Sequence, residues 1–167
     1  SATIVLLSTS TANSCAIDLF LDFTGRNAGT ISFDAATVFN STGNRDSKLK
    51  LFYSTDGTIF TELTGTNLPY AARNNVSGSA SITSIALPVA FNNSATARLR
   101  FYEHSTSTGG LPSPSGSQPK ISIDNISVTS TSATVTPTLT AGTGTVDADF
   151  DITFTDDPAW RAAVTSV

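Results

Sequence analysis

The chain contains 167 residues, of which 9 are Lys or Arg and 13 are Asp or Glu, so its net charge is −4. Charged residues make up 13% of the sequence, against roughly 25% in a typical soluble domain, whereas 23 Ser and 27 Thr supply most of its polarity. This hydroxyl-rich, charge-poor composition excludes a coiled coil, a long charged helix and a nucleic-acid binder with a strongly basic face.

Short segments in which apolar and polar residues alternate follow one another along the chain, separated by clusters of Gly, Asn, Asp, Ser and Thr. This period of two predicts short β-strands joined by turns. We predict eight strands, near residues 2–7, 15–24, 29–39, 47–54, 58–63, 79–87, 96–104 and 119–129. Such a series is typical of an all-β, two-sheet antiparallel β-sandwich of the jelly-roll type, here with long loops at 64–78 and 105–118.

The composition changes after Val128, because residues 129–145 are almost all Thr, Ser, Ala, Gly and Pro. Such a segment is typical of an extended linker or an edge strand. We therefore predict a jelly-roll β-sandwich over residues 1–130 and a linker or edge strand over 131–146. Residues 147–167 are then the start of a truncated second β-rich domain, or an arm docked on the first.

Cysteine content and hydropathy bear on the environment of the chain. The single Cys15 cannot form an intramolecular disulfide, and its position is typical of a small buried hydrophobe.

No apolar run approaches the roughly 18 residues of a membrane span, so we expect no membrane insertion. Because the sequence has neither an initiator Met nor a signal peptide, we expect a mature chain or an excised fragment.

Four segments, taken in order, carry a resemblance to known domains: Thr30–Asp34, Lys48–Tyr53 followed by Ser-Thr-Asp-Gly-x-x-Phe, Arg98–Tyr102 and Lys120–Val128. They resemble jelly-roll accessory domains of large secreted bacterial proteins. Carbohydrate-binding modules and meprin-like (MAM) domains share this architecture. The resemblance implies an extracellular or cell-surface location and a place within a larger multidomain chain.

A second resemblance begins at Val135–Thr140 and runs through Phe154–Arg161. This part looks like the opening of a haemoglobin-interacting (hemoblobin-type) surface domain, of which about half would be present. A haem-related activity is not carried over from half a domain.

Three predicted strands place scarce charge and aromatic rings on one face, opposite their apolar positions. The candidate ligand-binding residues are Lys48, Lys50, Phe52, Arg98, Arg100, Tyr102, Asp18 and Phe20. One interpretation is cross-strand ion pairing on a solvated sheet face. The other is a ligand platform, in which aromatic rings stack on sugar rings while Arg, Lys and Asp bind hydroxyls or carboxylates. Both interpretations assume that the three strands are adjacent.

The last predicted strand changes its apolar phase between Ile123 and Ile126, which predicts a β-bulge at Asp124-Asn125. In jelly-roll carbohydrate-binding modules an Asp at this place commonly binds a structural Ca²⁺, so the resemblance nominates Asp124 as a metal ligand. Asp34 is the second candidate, because a similar phase switch is expected between Phe33 and Val38. The alternative is an Asp or Asn that caps the bulge by binding local backbone.

Catalytic signals are few. His104, beside Glu103, is the only candidate base, and no Gly-x-Ser-x-Gly motif, metal cluster or phosphate-binding glycine loop occurs in the sequence. We predict a non-catalytic extracellular module that binds polysaccharide or other extracellular material, with structural Ca²⁺ as its only candidate cofactor and no nucleic-acid partner. The alternatives are a structural or adhesive spacer domain and a glycan-processing enzyme.

Overall fold

The computed structural model describes residues 3–9, 13–106 and 114–134, which form nine β-strands and one 3₁₀ helix. The strands are β1 (Ile4–Leu7), β2 (Ser14–Leu21), β3 (Arg26–Val38), β4 (Asp46–Ser54), β5 (Thr61–Leu63), β6 (Tyr70–Arg73), β7 (Ser79–Ala86), β8 (Ala97–Ser105) and β9 (Lys120–Ser132), and the 3₁₀ helix spans Val89–Phe91. The chain divides into two units after Thr134, and every described residue belongs to the first. The predictions for residues 135–167, including the second resemblance, lie outside the described residues.

The strands form two antiparallel sheets that pack face to face. One sheet has four strands in the order β1-β9-β3-β7, and the other has five, in the order β2-β8-β4-β5 with β6 also paired to β4. Because β1 to β4 alternate between the sheets, as do β7 to β9, the connectivity is that of a jelly roll. The prediction of an all-β, two-sheet antiparallel sandwich is confirmed.

Alternate side chains of both sheets fill the core between them. The rings of Phe33 on β3 and Phe101 on β8 meet edge to face at 5.0 Å and join the two sheets. The 3₁₀ helix contributes Phe91, which is fully buried and lies 5.8 Å from the rings of both Phe23 and Tyr53. Since one face of each strand is committed to this core, the other face of each sheet is left for contacts outside the sandwich.

The main departure from the predicted strands lies in residues 64–78, where the predicted loop contains β6. This strand pairs with the first half of β4, and Tyr70 and Ala72 are its buried residues. Two inward positions are too few to produce a recognisable period, which explains why the sequence pattern predicted a loop. β5, predicted from residue 58, begins at Thr61 and pairs with the second half of β4.

The β-bulge predicted at Asp124-Asn125 is confirmed. Ser32 pairs with Ser127 and Asp34 with Asp124, so β9 has one more residue than β3 between these pairs. Asn125 takes up the extra length with φ of +52°, in the left-handed region that Asn tolerates better than most residues. The phase switch predicted between Phe33 and Val38 is wrong: β3 keeps its phase through the buried Ala35, and Val38 is exposed.

Candidate functional site

The three strands that carry the predicted ligand platform are neighbours in the five-stranded sheet, with β8 between β2 and β4. We call their outer surface the charged face; it holds all eight predicted residues: Asp18, Phe20, Lys48, Lys50, Phe52, Arg98, Arg100 and Tyr102. The register sets Phe20 opposite Arg98 and Asp18 opposite Arg100 on one side of β8, and Phe52 opposite Arg100 on the other. The adjacency assumed from the sequence is therefore found in the fold.

Arg100 has two partners on this face, Asp18 and Phe60. Its Nε and Nη2 donate hydrogen bonds to the two carboxylate oxygens of Asp18 at 2.6 and 2.8 Å. Its guanidinium also lies 3.7 Å from the ring centroid of Phe60, a cation–π contact. The hydrogen bonds from Arg100 lower the pKa of the Asp18 carboxyl and raise the pKa of the guanidinium. This bidentate pair fastens the edge strand β2 to β8.

Lys50 also has a carboxylate partner. Its Nζ lies 3.0 Å from Oε2 of Glu62 on β5, and both side chains are about one-third exposed or less, at 28% and 33%. Glu62 and Phe60 were not predicted as members of this face. The alternation of residues 58–63 was a usable signal, because it sets Phe60 and Glu62 on the same side of a strand.

Aromatic rings continue the face toward the far end of β8. Phe52 meets Tyr102 edge to face at 5.8 Å, and Tyr102 stacks on His104 at 5.6 Å. The Nε2 atom of His104 is buried and has no hydrogen-bond partner in the described part of the chain. These half-buried rings form a packed row rather than a free stacking surface.

Phe20 and Arg98 lie at one end of the face, where Phe20 is exposed and Arg98 is half-buried. The Phe20 ring is 65% exposed, and the Arg98 guanidinium lies 4.6 Å from its centroid. The Arg98 side chain makes no hydrogen bond or salt bridge with any residue of the ranges described, although its charge also helps to lower the pKa of Asp18. Lys48, at the opposite end of the face, is exposed and makes no salt bridge within those ranges.

The two predicted calcium ligands lie on the outer side of the four-stranded sheet, where Asp34 and Asp124 are directly opposite each other. Asp34 accepts hydrogen bonds from the Ser81 hydroxyl at 2.6 Å and from Nδ2 of Asn125 at 2.7 Å. The Asn125 and Ser81 hydrogen bonds lower the pKa of the Asp34 carboxyl. Asp124 accepts from the backbone N–H of Asn125 at 2.7 Å, which is the local capping role given as the alternative.

An open groove of about 630 Å³ runs beside these two carboxylates, and hydroxyls of Thr3, Ser79 and Ser122 border it. Calcium takes six to eight oxygen ligands. Within the described ranges, no group of three or more His, Cys, Asp or Glu residues is placed so that it could hold a metal ion. Calcium binding at Asp34 and Asp124 stays a prediction that would need hydroxyl, backbone or water oxygens in addition.

His104, the candidate base, and its neighbour Glu103 lie on opposite faces of the sheet. His104 lies on the charged face, whereas Glu103 is completely buried between the sheets. The Glu103 carboxyl accepts hydrogen bonds from the Ser8 hydroxyl at 3.0 Å and the Cys15 thiol at 3.2 Å. Glu103 therefore cannot orient His104 in the way a triad carboxylate orients its histidine. This buried polar cluster was not predicted, because the sequence pattern gave Cys15 an apolar setting.

The chain is a jelly-roll β-sandwich in which four cations and several aromatic rings lie on the outer face of the five-stranded sheet. Comparison with protein-family models, curated proteins and solved structures gave no match to the chain. No helix in the described part of the chain has the length and apolar character needed to span a membrane.

Proposed function

We propose that this chain is a non-catalytic module of a secreted or cell-surface bacterial protein and that its charged face binds glycan. The observation that carries the proposal is Phe20, a 65% exposed aromatic ring beside a guanidinium on the charged face. Aromatic rings stack on the apolar faces of sugars, and arginine supplies directional hydrogen-bond donors for their oxygens. The outer face of a sheet suits an extended polymer better than a small enclosed ligand.

Composition supports the extracellular part of the proposal. Ser and Thr supply 50 of the 167 residues, so the polarity of the chain comes mainly from neutral hydroxyls. Four of the nine Lys and Arg residues nonetheless lie on the three strands of the charged face. That concentration of scarce charge favours a binding role for this face over a purely solvating one.

The experiment is a glycan array probed with the wild-type chain and with Phe20→Ala, Phe52→Ala and Tyr102→Ala. Phe20→Ala should weaken binding by about two- to tenfold, the range for one lost aromatic contact. Phe39→Ala is the matched control, because Phe39 is 55% exposed but follows β3 in the other sheet. Absence of binding by the wild type, or an equal loss in Phe39→Ala, would overturn the proposal.

A structural or adhesive spacer domain is the second candidate, and a specific observation favours it. Arg100 is paired with Asp18 and Lys50 with Glu62, so half of the cations on the charged face are already neutralised within the protein. Such pairs stabilise a sheet without any ligand. For this role, no variant of the face should change binding to any glycan, and loss of the pairs should change only stability.

A further inference from the structure

Arg98 and Arg100 occupy equivalent positions on β8 but have different surroundings. Across from Arg100 stands Asp18, whose carboxylate the guanidinium binds with two hydrogen bonds while it lies over the Phe60 ring. Across from Arg98 stands Phe20, and the guanidinium lies over that ring alone. Arg100 therefore has an aromatic ring and a carboxylate, whereas Arg98 has only the ring.

No carboxylate of the described residues completes the Arg98 position. Both oxygens of Asp18 are bound by Arg100. Asp56 lies in the turn beside Arg98, but its Oδ1 accepts hydrogen bonds from the backbone N–H groups of Thr58 and Ile59, at 2.8 and 2.9 Å. An arginine with its aromatic contact in place and no anion is suited to receive a carboxylate from outside the protein.

The Arg98 guanidinium is also held in position before any ligand binds. The turn packs directly against the Arg98 guanidinium at Gly57, which has a φ of +74°. Only glycine fits this contact, because a Cβ at position 57 would lie 2.5 Å from Nη1 of Arg98. The turn is fastened to the start of β8 by a 2.7 Å hydrogen bond from the Thr96 hydroxyl to the carbonyl of Thr55. Phe20 on one side and this turn on the other restrict the guanidinium, which lowers the entropic cost of binding.

The geometry points to a subsite for a uronic acid residue of an acidic polysaccharide, formed by Arg98 and Phe20. The guanidinium binds the sugar carboxylate through two hydrogen bonds, as Arg100 binds Asp18, and the exposed ring of Phe20 packs against the pyranose. This inference rests on the proposed glycan-binding function and names its ligand class. The charged face carries four cations against the carboxylates of Asp18 and Glu62, which favours a polyanion although the whole chain is negative.

The test compares each acidic polymer with a neutral counterpart of the same backbone. Binding of the wild type to polygalacturonate and to alginate is measured by titration calorimetry in calcium-free buffer. The same polymers after reduction of their carboxyl groups serve as the neutral probes. We expect the acidic polymers to bind at least about tenfold more tightly, since a charge-assisted bidentate contact contributes on that scale.

Two variant–control pairs and one conservative variant assign the preference to this subsite. Arg98→Gln should abolish the preference for acidic polymers, whereas Lys120→Gln, which removes an exposed cation from the other sheet, should leave it. Gly57→Ala should reduce the preference by displacing the guanidinium. Gly25→Ala is its control, because Gly25 has a similar φ of +68° but nothing within 4 Å of an added Cβ. Arg98→Lys, which keeps the charge but loses the fork, should retain only part of the preference.

The outcomes separate this inference from the proposed function. Equal binding of acidic and neutral polymers would overturn the uronate subsite and leave glycan binding standing. Equal losses in Arg98→Gln and Lys120→Gln would overturn it as well, because the preference would then follow net charge. Absence of binding to acidic and neutral polymers, together with an empty glycan array, would overturn both.

Discussion

Cys15 and Glu103 face each other across β2 and β8 inside the sandwich, and the Cys15 thiol donates a hydrogen bond to Oε2 of Glu103 at 3.2 Å. Ser8, just beyond β1 of the other sheet, donates to the second oxygen at 3.0 Å. One buried carboxyl group therefore joins the two sheets at this end of the core. Its position makes it important for stability, independent of any ligand.

Replacement of Glu103 by Ala should be strongly destabilising. The change leaves a cavity and deprives the buried Ser8 hydroxyl and the Cys15 thiol of their acceptor. We expect a loss of about 2 to 4 kcal/mol in the free energy of unfolding, measured by urea denaturation. Glu62→Ala, which removes only the partly exposed salt bridge to Lys50, should cost less than about 1 kcal/mol. Similar losses for the two variants would contradict this role for Glu103.

The Cys15 thiol should be unreactive in the native protein. Burial, and secondarily the hydrogen bond to Glu103, raises the pKa of the thiol to about 12. At pH 8 roughly one molecule in 10⁴ then carries the thiolate that reacts with alkylating agents. Iodoacetamide should therefore leave the folded chain unmodified and label it quickly in urea, as followed by mass spectrometry. Labelling of native Cys15 at the rate of the unfolded chain would contradict this environment.

The period of two was enough to predict the sandwich. Each long strand has a buried series such as Ile31, Phe33 and Ala35, and such series are visible in the sequence because burial of one face requires them. The bulge at Asp124 was predictable for the same reason: one extra residue moves the apolar series from Ile123 to Ile126.

Pairing between strands was not predictable in the same way. The sequence was enough to assign the residues of the charged face to one side of their strands, but it does not specify which strand lies beside which. Their adjacency, and the partnership of Lys50 with Glu62, depend on the jelly-roll order. The Glu103 cluster was missed because a carboxyl group on the expected core side contradicts the usual pattern, and only tertiary packing supplies its donors.

Asp18 should make the sandwich sensitive to acid. The hydrogen bonds from Arg100 lower the pKa of the Asp18 carboxyl in the folded state. A carboxyl with a lowered folded pKa contributes stability that is complete above its unfolded pKa of about 3.9 and is lost as the pH falls through the folded pKa. Thermal melts between pH 7 and pH 2 should show a smaller decline for Asp18→Asn than for the wild type. Identical declines would show that this pair does not contribute to the pH dependence.

The calcium prediction for Asp124 and Asp34 can be tested by its effect on stability. A ligand that binds only the folded state stabilises it by an amount that grows with the logarithm of the ligand concentration above Kd, so calcium added after chelation should raise the melting midpoint of the wild type. Asp34→Asn should abolish the shift, since the amide removes one anionic ligand while its single oxygen can still accept one of the two hydrogen bonds from Ser81 and Asn125. Asp22→Asn is the control: Asp22 accepts a hydrogen bond from the backbone N–H of Thr24 and lies outside the groove. A midpoint that is unchanged by calcium and by chelator would overturn the prediction and leave Asp124 with the capping role seen in its hydrogen bond from the backbone of Asn125.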